Sequence, residues 1–330
     1  MGKILLLSEK DLRQSVALDI GVIDCVEQGF RALARGDVVM PPVLSLAIEA
    51  HNGEVDVKTA YVPELASFAL KVSPGFFDNP KIGLPSTSGL MMQFSALTGV
   101  LEAMLLDNGY LTDVRTAAAG AVAARHLAPR DVATAAILGA GMQARMQLRA
   151  LCLVRPIRQA YVWGRDFARA EAAAVEMAAA CGIEVRAVKE ADESVRAAEV
   201  IVTTTPAERP ILRADWLRPG QHITAMGSDQ EHKNELDPAC FEVADLYVAD
   251  RLTQVTKLGE LRSAIAAGTA SADQDFPELG QIVAGKVSGR TGAGQITICD
   301  LTGTGGQDTM IAALATTRAA ERGLGTNFEN

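Results

Sequence analysis

The sequence predicts an α/β protein in two parts, an α+β portion followed by a parallel, doubly wound portion, and three observations predict it. Short alternating apolar runs separated by turn residues fill 43–72, which reads as antiparallel strands. From 134 onward strands and helices alternate, the pattern of a parallel sheet with crossover helices. A glycine-rich stretch, Gly139-Ala-Gly141-Met142-Gln143-Ala144, lies between the first of those strands and the next helix.

The elements follow in order. Residues 3–7 form a short strand, after which Ser8 caps a helix with Asp11 in the capping-box position. A second helix runs over 19–34 and stops at Gly36. Strands are predicted at 55–61, 68–72, 89–94 and 98–106, with an Ala-rich helix at 117–126. The alternating part supplies strands at 134–138, 161–163, 184–188, 200–204, 222–226, 246–248 and 295–298, with a helix at 166–180. A last helix is predicted at 308–322.

Composition narrows the function. At roughly 150 residues per domain, 330 residues predict two domains. Hydrophobic residues at 48% are enough for sizeable cores. A formal net charge of −9 and only 5% aromatics exclude the basic, base-stacking surface of a nucleic-acid binder. The uncharged run 82–101 is long enough to cross a bilayer, but its Pro, Gly, Gln, Ser and Thr make it read as buried strand and turn. The first residues lack a signal-peptide core. Five scattered cysteines show no metal-ligand or disulfide spacing. A cytoplasmic protein without metal, membrane or nucleic-acid partner is expected.

Gly-x-Gly-x-x-Ala after a strand and before a helix is the dinucleotide fingerprint, so the second portion reads as a Rossmann domain. Gly139 permits the tight turn, Gly141 lets a pyrophosphate approach the backbone, and Ala144 allows close helix–strand packing. At the end of the next strand the sequence is Trp163-Gly164-Arg165-Asp166. Arg165 suits a 2′-phosphate, and Asp166 suits ribose hydroxyls or a helix cap. NAD(H) is slightly favoured over NADP(H), because a carboxylate there opposes a phosphate.

Four polar stretches lie outside the fingerprint, and each has an ordinary structural reading. Lys71 in an apolar strand would usually face solvent, Arg115 would pair with a nearby acid, Asp229 would cap a helix, and 300–308 would lead into one. Together they carry a resemblance. The order Lys71 in a strand, Arg115-Thr116-Ala-Ala, Gly-x-Gly-x-Gln-Ala, Gly227-Ser-Asp229…Lys233-Asn-Glu235-Leu and a late Asp300…Gly303…Asp308 loop resembles the ornithine cyclodeaminase and mu-crystallin family over nearly the whole chain. The stretches Val55-Asp-Val-Lys58-Thr-Ala-Tyr-Val-Pro, Asp107-Asn-Gly-Tyr-Leu-Thr-Asp and Asp300-Leu-Thr-Gly-Thr-Gly are most similar to the branch associated with ectoine utilisation and iminosuccinate reduction.

The resemblance implies a substrate-binding and dimerisation domain at 1–116, completed by the helical 307–330, with the Rossmann domain at 117–306 inserted between them. It implies that Lys71 and Arg115 bind an α-carboxylate. Asp229 is implied as the acid/base, with Lys233 near it, and Ser86 falls where some members use a hydroxyl. Candidate cofactor contacts are Gly139, Gly141, Met142, Gln143, Ala144, Arg165, Asp166, Thr204, Thr116, Lys233 and Gly303. The implied activity is NAD(P)H-dependent reduction of a small imino acid, iminosuccinate to aspartate first, in a homodimer. The alternatives are a cyclodeaminase that retains NAD and a crystallin-like binding protein without turnover. Chemistry fits the roles: imine reduction needs a held carboxylate and a proton donor. Arg binds carboxylates bidentately, and an enclosed carboxylate such as Asp229 can shuttle protons. Lys58 in the pocket would attract a second carboxylate. On the surface it would pair with Asp56 or Glu54, Asp56 sharing its strand face.

Overall fold

The computed structural model describes residues 3–329. The chain divides into two compact units, Met1–Arg115 with Thr304–Asn330, and Thr116–Gly303. The division falls inside the helix Tyr110–Leu127 and just before the helix Gly305–Glu321.

The first unit is built on a seven-stranded sheet. Its strands are β1 (Lys3–Ser8), β2 (Leu44–Ile48), β3 (Gly53–Ala60), β4 (Ser67–Phe76), β5 (Leu90–Ser95), β6 (Leu101–Leu106) and β14 (Thr326–Glu329), in the order β14-β1-β6-β5-β4-β3-β2. All neighbours are antiparallel except β1 and β6. Ser8 and Asp11 form the expected capping box of the helix Glu9–Ser15, and Asp19 caps the helix Ile20–Leu33. Side chains alternate across the sheet. One face carries buried Ala60, Ala69, Met91 and Leu105, and the 305–321 helix packs against β3, β4 and β5. The opposite face carries Leu44, Leu46, Val57, Leu70, Met92 and Phe94, of which Leu44 and Leu46 are exposed and the rest half-buried.

The second unit holds seven parallel strands: β7 (Thr134–Leu138), β8 (Gln159–Trp163), β9 (Glu184–Val188), β10 (Val200–Thr203), β11 (His222–Ala225), β12 (Leu246–Ala249) and β13 (Thr297–Asp300). Their order is β12-β13-β11-β10-β7-β8-β9. This is the doubly wound Rossmann arrangement, and its topological switch point lies between β7 and β10. Every residue of β10, β11 and β13 is buried, as a sheet covered on both faces requires. Among the described residues no helix is long and apolar enough to cross a membrane.

Three expectations need correction. The run 82–101 is not buried throughout: Ile82, Leu84 and Leu97 are exposed, and only β5 and the start of β6 are strand. The strand expected at 295–298 lies two residues later, so Asp300 ends β13 instead of opening a loop. The edge strand β14 and several short helices, such as Leu252–Leu258, carried no signal strong enough to find.

Gly305 shows how tightly the 305–321 helix is seated on β3. A Cβ there would lie 2.3 Å from the carbonyl oxygen of Thr59, a backbone atom that cannot swing away. Gly305→Ala is therefore expected to destabilise the protein by about 1–3 kcal/mol, the usual cost of overpacking; urea denaturation checks this, and an unchanged midpoint would contradict the close seating.

Candidate functional site

Antiparallel pairing of β3 and β4 sets Lys58 directly opposite Lys71. Both side chains are on the helix-covered face and both are buried, at 8% and 2% exposure. The surface reading of Lys58 is thereby overturned. Asp56 accepts from Ser45 Oγ at 2.6 Å on the neighbouring strand β2. Like charges directly opposite on a sheet repel, and burial removes the water that would screen them.

Arg115 and Asp308 complete the cluster. Arg115 Nε donates to Asp308 Oδ1 at 2.9 Å, and Lys71 Nζ lies 2.9 Å from Asp308 Oδ2. Arg115 thus pairs with an acid 193 residues away along the chain. Burial, with Arg115 and Lys58 adding to it, pulls the Lys71 amine down to about 7 against the opposing effect of Asp308. Burial pushes the Asp308 carboxyl up, but Arg115, Lys71 and Lys58 outweigh it and hold the group below its ordinary value. Lys58, Lys71 and Arg115 thus gather around Asp308 in a desolvated space, with buried Asp107 also within electrostatic reach of Lys71, a composition suited to an anionic ligand. Ser86, half-buried between β4 and β5, accepts through its carbonyl from the Phe76 N–H at 2.7 Å.

In the second unit the glycine turn has the shape a dinucleotide needs. Gly139 has φ +138°, and a Cβ there would lie 2.2 Å from Thr204 Oγ1. Gly141 is open: nothing lies within 4 Å of a Cβ built on it. It also caps the helix Met142–Val154 without a side-chain hydrogen bond, leaving the helix start free for phosphate. Ala144 is fully buried in the core beneath. A cavity of about 330 Å³ is lined by Ala140, Gly141, Met142, Arg145, Arg169 and Ala172. The residues present fit a dinucleotide.

The remaining cofactor candidates are distributed around that unit. Gln143 Oε1 and the Thr116 carbonyl both accept from Gln147 Nε2. Thr204 follows β10 beside the turn, its N–H donating to the Leu138 carbonyl. Arg165 is exposed. Asp166 takes the capping alternative, accepting from the Arg169 N–H at 3.3 Å. Gly303 donates its N–H to Asp250 Oδ2 at 2.7 Å.

Asp229 lies on the loop after β11, and Lys233 Nζ donates to its Oδ1 at 2.6 Å. The expected enclosure is not found: the Asp229 side chain is 43% exposed, with Lys233 as its partner. That loop is anchored by Glu235, which accepts from Thr203 Oγ1, the Thr205 N–H and the Gly227 N–H at 2.5, 2.5 and 2.8 Å. Burial and neighbouring Glu260 raise the Glu235 carboxyl to about 7 despite those donors. Glu235 thus ties the carboxyl ends of β10 and β11 together, beside the residues that lead to Thr204 and Asp229.

Sequence reasoning named Asp308 as the end of the late Asp300…Gly303…Asp308 loop but gave it no role, and it missed Gln307, whose local signal was the Thr304…Gln307 capping-box spacing at the start of the 305–321 helix. Nothing local pointed to Arg115 as their partner.

The model of the ornithine cyclodeaminase/mu-crystallin family matches residues 3–323. A Rhizobium meliloti protein provisionally named a dehydrogenase is 59% identical, and a Sinorhizobium fredii protein named an uncharacterized cyclodeaminase is 58% identical, each over 100% of both chains. Among solved structures, the delta(1)-pyrroline-2-carboxylate reductase of Thermococcus litoralis, in complex with NADH and L-proline, is similar at TM-score 0.94 and 32% identity, covering 98% of this chain and 100% of the other. An archaeal alanine dehydrogenase dimer with bound NAD is similar at 0.91 and 31%, covering 99% of each. The iminosuccinate reductase of Paracoccus denitrificans with NAD+ is similar at 0.91 and 30%, covering 100% of each.

Proposed function

The chain belongs to the ornithine cyclodeaminase/mu-crystallin family, and from that premise we propose that it is an NAD(H)-dependent oxidoreductase that reduces a small imino acid to an amino acid, iminosuccinate to aspartate being the favoured reaction. The observation that supports this reading is the gathering of the buried cations Lys58, Lys71 and Arg115 around Asp308. A dicarboxylate is an anionic ligand that suits such a set. Arg115 and Lys71 bind its α-carboxylate, and Lys58, opposite Lys71 on β3, binds the β-carboxylate. Ser86 is retained as a candidate hydroxyl contact. The glycine turn, with Thr204 beside it, holds the diphosphate of the cofactor. When bound, NADH supplies the hydride that the imine carbon accepts. Asp229 delivers the proton that the nitrogen takes up, and Lys233 orients it. The other cofactor contacts suggested by the sequence, at Arg165, Asp166, Thr116 and Gly303, stay part of this proposal.

A cyclodeaminase is the second reading, favoured by the name of the Sinorhizobium relative. The cation cluster opposes it, since an ornithine side chain brings another positive charge.

Oxaloacetate with ammonia, which generates iminosuccinate, is expected to drive steady NADH oxidation by the purified protein. Lys58→Glu is expected to lower kcat/KM for that dicarboxylic substrate at least about tenfold more than for pyruvate with ammonia, the loss of one charge-assisted contact. Equal losses would remove Lys58 from the substrate, and ornithine turnover without net NADH change would select the cyclodeaminase reading.

We further propose a homodimer formed by the first unit, through the helix-free sheet face. Support comes from exposed Leu44 and Leu46 beside half-buried Val57, Leu70, Met92 and Phe94 on that face and from the dimeric alanine dehydrogenase. Light scattering should give twice the 34.8 kDa chain mass, and Leu44→Lys with Leu46→Lys should halve it. A monomeric wild type would refute the assignment.

A further inference from the structure

Gln307 is fully buried and occupies the third position of the 305–321 helix, beside Asp308. Its Oε1 accepts from the Thr304 N–H at 3.3 Å and from Arg115 Nη1 at 3.3 Å. Two donors on one oxygen fix the orientation of the amide, because a flipped group would set its NH2 against both. The other end of the amide, Nε2, is buried and has no hydrogen-bond partner among the described residues. Capping explains the oxygen and leaves the nitrogen unexplained. Buried donors are normally paired, so this one marks a place where an acceptor belongs.

The surroundings say which acceptor. Arg115 bridges Gln307 and Asp308, and Asp308 is itself shared between Arg115 and Lys71. Every other charged side chain reaching this cluster is a cation, Lys58 from β3 and Lys71 from β4, apart from Asp107 after β6, whose carboxyl burial pushes up. The 305–321 helix also directs the positive end of its dipole here. A carboxylate offers about four lone-pair directions, enough for a guanidinium and an amide together.

We propose that Gln307 is a substrate-binding residue whose Nε2 donates to the substrate α-carboxylate oxygen that Arg115 also engages. The inference rests on the imine-reductase reading and adds a neutral donor to its carboxylate site. A neutral donor adds binding strength without adding a fourth positive charge to the cluster.

Two variants test it in the intact enzyme. Gln307→Glu keeps an acceptor for Thr304 and Arg115, as a capping box allows, and replaces the donor with an oxygen. Gln307→Met removes the donor without adding charge. Both are expected to raise KM for the imino acid at least tenfold, with KM for NADH within twofold of wild type and kcat little changed, the signature of lost substrate binding. Calorimetric titration with succinate, which needs no turnover, should show at least tenfold weaker binding to both. Wild-type affinity for succinate in Gln307→Glu, or in a folded Gln307→Met, would overturn the assignment. A wild type that binds succinate but oxidises no NADH with any imino acid would instead overturn the reductase reading, and the succinate affinities would still decide the role of Gln307.

Discussion

Gathering Lys58, Lys71 and Arg115 around Asp308, away from water, is the constraint on which the first unit is built. Lys58 and Lys71 are held face to face by the pairing of β3 and β4, and Arg115 reaches the same Asp308 that Lys71 does. Burial, with Arg115 and Lys58 adding to it, pulls the Lys71 amine down to about 7. An anion bound at the cluster would offset part of the cost of that burial.

The second unit solves a different problem, that of keeping the loops after its strands in place. Buried acids do this. Glu235 gathers donors from the ends of β10 and β11, Asp250 takes the Thr302 and Gly303 N–H groups after β13, and Asp300 accepts from the Tyr247 hydroxyl and the Leu261 N–H. Burial, helped by Glu260 and Asp250, raises the Asp300 carboxyl well above its usual range. These anchors leave Asp229 and Lys233 on a loop whose roots are fixed while its tip meets solvent.

Much of this was legible in the sequence, for local reasons. The β7 strand, the glycine turn and the following helix are written in consecutive residues, because apolar runs and glycines act through the chain next to them. Alternation in 53–76 gave the hairpin of β3 and β4 for the same reason. What one sequence left open was which face mattered: alternation put Lys58 and Asp56 on one side of β3 but could not say that this side was buried. The partnership of Arg115 with Asp308 and Gln307 was hidden, since it joins residues almost two hundred positions apart. Asp229 was identified by motif, and its exposure depends on packing that no motif records.

The central claim is that the cation cluster awaits an anion and that Lys71 carries the proton balance of its arrival. Calorimetry of succinate binding at pH 7.5, in buffers of different ionisation enthalpy, measures that balance. A dianion beside Lys71 opposes the effects that lower its amine to about 7 and so favours protonation. Net proton uptake that disappears in Lys71→Met is the expected result. Binding without proton uptake, or no binding at all, would contradict it.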